Sequence, residues 1–249
     1  LEIEPRGRSC EGIFGRNLGS RVTEERLGEA SSRAPERPST SSRDVRRVAL
    51  GAGIDVSRVR VTIGAMFDDG LPTLEGARIR LRALHSRDAA DVFALYHDRE
   101  TTRFGYAPKM ASLADASRLI EEIADLASRG ALWHFGVADR DEDRVIGHVT
   151  LFEWKREHRR AEVGYSITRS RWGQGLGREA VRLLIGCAFE RCDLRRLEAD
   201  VEPRNVRSLR LLEALGFRRE GLLRARWEQA GELQDSIVLG LLREDWRGS

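Results

Sequence analysis

The stretch RWGQGLGREA, residues 171–180, sets three glycines into five positions and then runs directly into helix-forming residues. Its flanks fix where it sits. Upstream, Ala161, Val163, Tyr165 and Ile167 alternate with Glu162, Gly164, Ser166 and Thr168, the period of a strand. Downstream, Ala180, Val181, Leu184, Ile185, Ala188 and Phe189 recur at helical spacing. The glycines therefore join a strand to a helix, and few such junctions exist. A Walker-type phosphate loop is excluded, because no Gly-Lys-Ser/Thr follows. A dinucleotide fingerprint is matched in part by Gly175, Gly177 and Ala180, with Asp200 roughly twenty residues on. That fingerprint turns directly off its strand, however, whereas RSRW intervenes here. A turn softened by glycine for packing alone is a third reading. The fourth is an anion cradle, in which unpaired N–H groups at a helix N-terminus meet a diphosphate that side chains would otherwise obstruct.

The surrounding pattern places this junction in one α/β domain. ARIRLRAL (77–84) reads as a strand, followed by a helix in SRDAADVFALYHDRE with Ser86 as its N-cap. A loop, TTRFGYAPKMAS, leads to a second helix opened by Ser112 with Asp115 three residues on, and closed by Gly130. ALWHFGVAD and RVIGHVTLFEW are strand-like and joined by the short link RDED. After the glycine-led helix come RRLEADVE as a short strand and NVRSLRLLEALGF as a helix, with Leu209, Leu212 and Leu215 inward and Gly216 as its stop. FRREGLLRARW and LQDSIVLGLL close the chain as strands. Hairpins at both ends leave no room for a doubly wound sheet.

Residues 1–65 read differently. SSRAPERPSTSSR (31–43) has no apolar period and is expected to be disordered, and VALGAGIDVSRVRVTIG (48–64) is an isolated candidate strand. The first methionine, Met66, precedes the first well-patterned strand, so residues 1–70 are expected to be a disordered or non-native extension, and 71–249 the domain. This extension carries 12 arginines and nine acids within residues 1–65, which leaves 31 basic and 31 acidic residues in the remainder. A balanced domain gives no electrostatic ground for nucleic-acid binding. No apolar run approaches the ~18 residues of a membrane span, and no signal-peptide order is present. Cys10, Cys187 and Cys192 form neither an even framework nor a CxxC pair, which points to thiols in a reducing cytoplasm. No carboxylate–histidine cluster has metal-ligand spacing, so no metal is expected.

AEVGYSITRSRWGQGLGREAVRLLI resembles the acyl-CoA-binding segment of the GNAT N-acetyltransferase superfamily, in the branch that includes the ribosomal-protein N-terminal acetyltransferases. LRRLEADVEPRNVRSLRLLEALGFRREG resembles that branch's strand–Asn-x-x-Ser–helix–Gly-Phe segment, and IRLRAL, TTRFGYAP and LREDW fit its flanks. The resemblance spans residues 74–246. It implies a single GNAT-type domain: a mixed, mostly antiparallel sheet with helices on both faces. Trp172 stands where the superfamily often has Gln or Arg, so the cofactor contact there is expected from backbone amides.

The resemblance further implies that acetyl-CoA is the co-substrate. Its pantetheine arm and acetyl oxygen are expected along Tyr165, Ser166, Ile167 and Thr168. Its diphosphate is expected at Gly173, Gln174, Gly175, Gly177 and Arg178, with Arg171 adding charge, and its arm is expected against Asn205 and Ser208. Glu162 matches the Glu of the branch's A-E-[IV]-G-Y segment, faces away from Ala161 and Val163, and is the candidate base. Ser208 and Tyr165 are candidate proton donors to the thiolate. The loop between the first two helices, with Phe104 and Tyr106, and Trp154 are expected to shape the acceptor site, and His134 and His148 are candidates to line it. No cysteine is placed as an acyl carrier, so direct transfer in a ternary complex is expected. The acceptor is a primary amine. A protein N-terminus asks less of a base than lysine does, since an α-amine has a pKa of about 7.7–8.0 against ~10.4. A small-molecule amine such as an antibiotic or polyamine is the alternative, as is a non-catalytic acyl-CoA sensor. The protein is expected to act as a monomer or homodimer.

Overall fold

The computed structural model describes residues 70–248 apart from 106, 107, 109 and 230. The expectations for the N-terminal extension, for Cys10 and Met66, and for Tyr106 fall outside the described residues.

Eight strands form one open sheet in the order β1-β2-β3-β4-β5-β6-β8-β7. They are β1 (Leu74–Glu75), β2 (Ile79–Arg82), β3 (Trp133–Asp139), β4 (Val145–Lys155), β5 (Arg160–Ile167), β6 (Arg196–Val201), β7 (Arg218–Gln229) and β8 (Glu232–Leu242). Four α-helices connect them: α1 (Ala89–His97), α2 (Leu113–Ser128), α3 (Leu176–Glu190) and α4 (Val206–Ala214). All neighbours pair antiparallel except β5 and β6, which are parallel. The sheet is thus mixed and mostly antiparallel, as expected. That β8 inserts between β6 and β7 is a feature local patterning carries no sign of.

The apolar stripes meet as their spacing demands. Ala180, Val181, Leu184, Ile185, Ala188 and Phe189 of α3 are all buried, against a sheet face carrying Leu81, Phe135, Leu151, Ala161 and Leu197. Burying each such leucine contributes about 2 kcal/mol, which holds α3, and hence the glycine loop before it, against the sheet. Cys187 and Cys192 are buried free thiols in that core. Ser112 caps α2 and forms the expected capping box with Asp115, and Gly130 leaves the helix at φ +62°. Gly216 ends α4 in the left-handed region at φ +95°.

One helix start differs from its sequence reading. Ser86 is not a cap: Ser86–Asp88 form a 3-10 turn, and α1 begins at Ala89. The cause is Asp88, which is drawn inward by Arg82 through bonds of 2.7 and 3.0 Å and accepts the His85 backbone N–H at 2.8 Å. This buried ion pair pins the entry of α1 to β2. It uses hydrogen bonds to offset the cost of burying both charges.

Candidate active site

β5 and β6 pair only through Arg160–Glu162 against Arg196–Glu198, then separate. The next strand over supplies a reason for the bend. β4 carries a bulge between Phe152 and Lys155, with Glu153 at φ +48°, and bulges add twist and bend. Beyond Glu162, the edge of β5 toward β6 has no ladder partner among the described residues. Side chains close the gap instead. The Tyr165 hydroxyl lies 2.7 Å from the Ser208 hydroxyl, across the opening, on the first turn of α4. Burial pushes the Tyr165 phenol up to about 12, only partly offset by Ser208, so it holds its proton at neutral pH. Asn205 caps α4 by accepting the Ser208 N–H at 3.2 Å through Oδ1, which leaves its amide N–H₂ for other partners.

At the far end of the opening lies the glycine loop. Gly173 and Gly175 adopt φ of +76° and +78°, a region that side chains disfavour, and a Cβ on Gly173 would meet nothing within 4 Å. Gly175 is the N-cap of α3 and brings no capping side chain. The N–H groups of Leu176, Gly177 and Arg178 precede the first intrahelical bond, from Glu179 N–H to the Gly175 carbonyl, and so carry the positive end of the helix dipole. A Cβ on Gly177 would sit 3.4 Å from Ile167 and Leu211, so a glycine there lets the helix start close against β5 and α4. These residues form a cradle that fits a phosphate group.

The expected contacts are drawn together, with some groups already engaged. Thr168 N–H donates to the Ile146 carbonyl at 2.8 Å. The Trp172 indole N–H donates to the Ile167 carbonyl at 2.6 Å, and Arg207 lies over its ring at 4.8 Å. Trp172 thus fixes the loop to the end of β5. Arg171 pairs with Asp139 at 3.3 Å and Arg178 reaches the Ala214 carbonyl at 3.5 Å.

At the fork itself stands Glu162, half-buried, in register with Glu198 on β6 and Phe152 on β4. Desolvation, followed by the charges of Asp200, Glu153 and Glu198, raises its carboxyl to about 7, with Arg226 opposing. The three neighbours each have a cation. Glu153 pairs with Lys155 at 2.8 Å, Glu198 with Arg196 at 2.7 Å and also with Arg160, and Asp200 with Arg226 at 3.2 Å. Among the described residues Glu162 has no ion pair. Arg226 was missing from the sequence reading and Asp200 entered it only as part of a dinucleotide-fingerprint match, because only the β6–β8–β7 order brings a residue of β7 to β6. Arg78 was missing too, although it donates to the Gln174 carbonyl at 2.8 Å.

The two histidines sit on β3 and β4, with His148 in register with Ser166 of β5. His134 is 2 % exposed and stacks on His148 at 4.8 Å, while His148 meets the Tyr96 hydroxyl of α1 at 3.2 Å. His148 thus packs against α1, and His134 lies behind it. Burial lowers both, His148 to about 4 and His134 well below its usual value, with His148 beside it. Trp154 meets Trp133 edge-on at 4.8 Å, with Arg156 over its ring, and Arg103 covers Phe104. Among the described residues no group of three or more His, Cys, Asp or Glu could hold a metal, and no helix is long and apolar enough to cross a membrane.

Comparison with known proteins bears on this geometry. The acetyltransferase (GNAT) domain family matches residues 78–218. The uncharacterised N-acetyltransferase p20 of Bacillus licheniformis is 34% identical over 178 residues, covering 72% of this chain and all of the relative. The ribosomal protein uS5-alanine N-acetyltransferase of Escherichia coli is 31% identical over 125 residues, covering 50% of this chain and 64% of the relative. The crystal structure of ribosomal-protein-S5-alanine acetyltransferase from Vibrio fischeri superposes with a TM-score of 0.63, at 25% identity over 71% of this chain and 100% of that one. A forked parallel pair, a helix start with a glycine N-cap and a family match across both place this chain in the GNAT family of acetyl-CoA-dependent N-acetyltransferases.

Proposed function

We propose that residues 71–249 transfer an acetyl group from acetyl-CoA to a protein N-terminal α-amine, directly and within a ternary complex. The observation that carries this reading is the isolation of Glu162 among four carboxylates at the fork. With the other three matched by cations, the fork presents one negative charge, on a carboxyl held near neutrality. One such charge suits one ammonium group. An α-amine of pKa about 7.7–8.0 is close enough to Glu162 for proton transfer to cost little. A polyamine would bring further cations that find no unpaired carboxylate beside Glu162. The likeness to relatives named for ribosomal-protein alanine acetylation supports the same acceptor class.

In this reading Glu162 takes the proton of the acceptor amine. The neutral amine nitrogen attacks the thioester carbonyl carbon; as the C–N bond forms the nitrogen sheds its remaining surplus proton to water, and the C–S bond breaks. Tyr165 Oη gives its proton to the departing sulfur and regains one through Ser208. Asn205 and the free edge of β5 at Tyr165, Ser166 and Ile167 orient the arm, beside Thr168. The amides of Gly173, Gln174, Gly175, Gly177 and Arg178 meet the diphosphate. A non-catalytic sensor would keep the loop yet have no use for a carboxyl held near pH 7. The free buried thiols accord with action in a reducing cytoplasm.

The test is thiol release from acetyl-CoA with peptides of varied N-terminal residue beside spermidine and an aminoglycoside. Peptides turning over with an acetylated N-terminus is the expected result. Turnover of the small amines alone contradicts the acceptor, and acetyl-CoA binding without turnover of any amine favours a sensor.

A further inference from the structure

The helix turn that forms the anion cradle also carries an acidic side chain. Glu179 belongs to the first turn of α3, whose leading N–H groups would meet a diphosphate, and its carboxylate is only 17 % exposed. A negative side chain there favours the helix dipole but repels a bound phosphate. The fold answers with Arg78, at the start of β2. Its guanidinium Nε donates to Glu179 Oε2 at 3.0 Å, its Nη2 lies 3.0 Å from the same oxygen, and its backbone N–H donates to Oε1 at 2.8 Å. The β1–β2 turn is shaped around this carboxylate: a Cβ on Gly76 would lie 2.7 Å from Glu179 Oε1 and 2.9 Å from the Ile79 carbonyl.

Arg78 has a second attachment. Its Nη1 donates to the Gln174 carbonyl at 2.8 Å. In a trans peptide the C=O and the following N–H point in opposite directions. Holding the Gln174 carbonyl toward Arg78 therefore turns the Gly175 N–H away from it. The Gly175 φ of +78° keeps the next peptides in the helical start. One arginine thus sets the orientation of a loop amide and cancels the charge that would oppose a phosphate.

We infer that Arg78 is a positioning residue for the diphosphate of acetyl-CoA, acting through the Gln174 carbonyl and through neutralisation of Glu179. The inference rests on the reading that the glycine loop meets that diphosphate. Its test uses calorimetric affinity for acetyl-CoA and for acetyl-pantetheine, which lacks the diphosphate, in the full chain. The wild-type protein binds acetyl-CoA more tightly than acetyl-pantetheine; equal affinities overturn the loop assignment itself. Arg78→Ala weakens acetyl-CoA about tenfold and leaves acetyl-pantetheine unchanged. Adding Glu179→Gln to Arg78→Ala restores most of the loss, because the unmatched carboxylate is gone. Thermal melts establish that each variant is folded. An Arg78→Ala protein that is folded and keeps its preference for acetyl-CoA overturns the inference, and so does a double variant no better than the single one.

Discussion

The hydroxyl of Tyr165 lies 2.7 Å from that of Ser208, joining the free edge of β5 to the first turn of α4 across the fork. With its phenol raised to about 12 by burial, Tyr165 keeps its proton at neutral pH, as the proposed proton donor must. Tyr165→Phe is expected to lower kcat by about 100-fold, at the lower end for loss of a general acid, with acetyl-CoA affinity within threefold or so. Ser208→Ala keeps the phenol and removes its partner, and a smaller loss, below about tenfold, is expected. Steady-state kinetics with calorimetry checks both.

Gly147 on β4 faces the end of β5. An added Cβ would overlap the Ser166 carbonyl oxygen and lie 3.0 Å from Ile167 Cα, both backbone atoms that cannot rotate away. Gly147→Ala is therefore expected to cost about 1–3 kcal/mol of stability and to weaken acetyl-CoA binding, since the strand that would hold its arm must shift. Denaturant melts and calorimetry read the two effects.

The stacked pair His134 and His148 sets the response to acid. Both are lowered by burial, so between about pH 4 and 6.5 the unfolded chain binds protons that the folded chain refuses. Their contribution to stability is present above the unfolded value and lost as pH falls below it. Glu162 acts oppositely: its carboxyl is raised, so its ionisation destabilises the fold as pH rises toward 7 and beyond. Glu162→Gln is expected to raise Tm at pH 8 and to leave it nearly unchanged at pH 4.5. In that variant the loss of Tm between pH 7 and 5 is expected to be steeper than in the wild type.

The charges around Glu162 are separable by substitution. Asp200→Asn removes a negative neighbour and is expected to move the activity limb of Glu162 to lower pH. Arg226→Gln removes the opposing cation and moves it to higher pH. Opposite displacements in pH–rate profiles check this. Profiles that coincide with the wild type would mean that the limb belongs to another group.

Much of this arrangement is legible in sequence because it is local. The alternation around Glu162, the helical stripe from Ala180 to Phe189 and the Asn205–Ser208 spacing each follow from a period that the backbone imposes. What sequence does not carry is the pairing of distant segments. Arg78 is 101 residues from Glu179, and Arg226 is 26 from Asp200. Their meeting depends on strand order, which no local period encodes. Ser86 illustrates the converse: it has the residue type of a cap, but the buried Arg82–Asp88 pair decides where α1 begins. The histidines show a related limit. Strand alternation puts them on one face but carries no sign that α1 brings Tyr96 onto His148.

The account turns on Glu162 as the base for an α-amine. The most direct measurement is kcat/KM for an accepted peptide from pH 5.5 to 9, with the wild type and Glu162→Gln side by side. The wild-type rate is expected to rise through a pKa near 7, and Glu162→Gln to lose that limb and about 100-fold or more of the rate while still binding acetyl-CoA. A Glu162→Gln enzyme with the wild-type rate and the same limb would contradict the account.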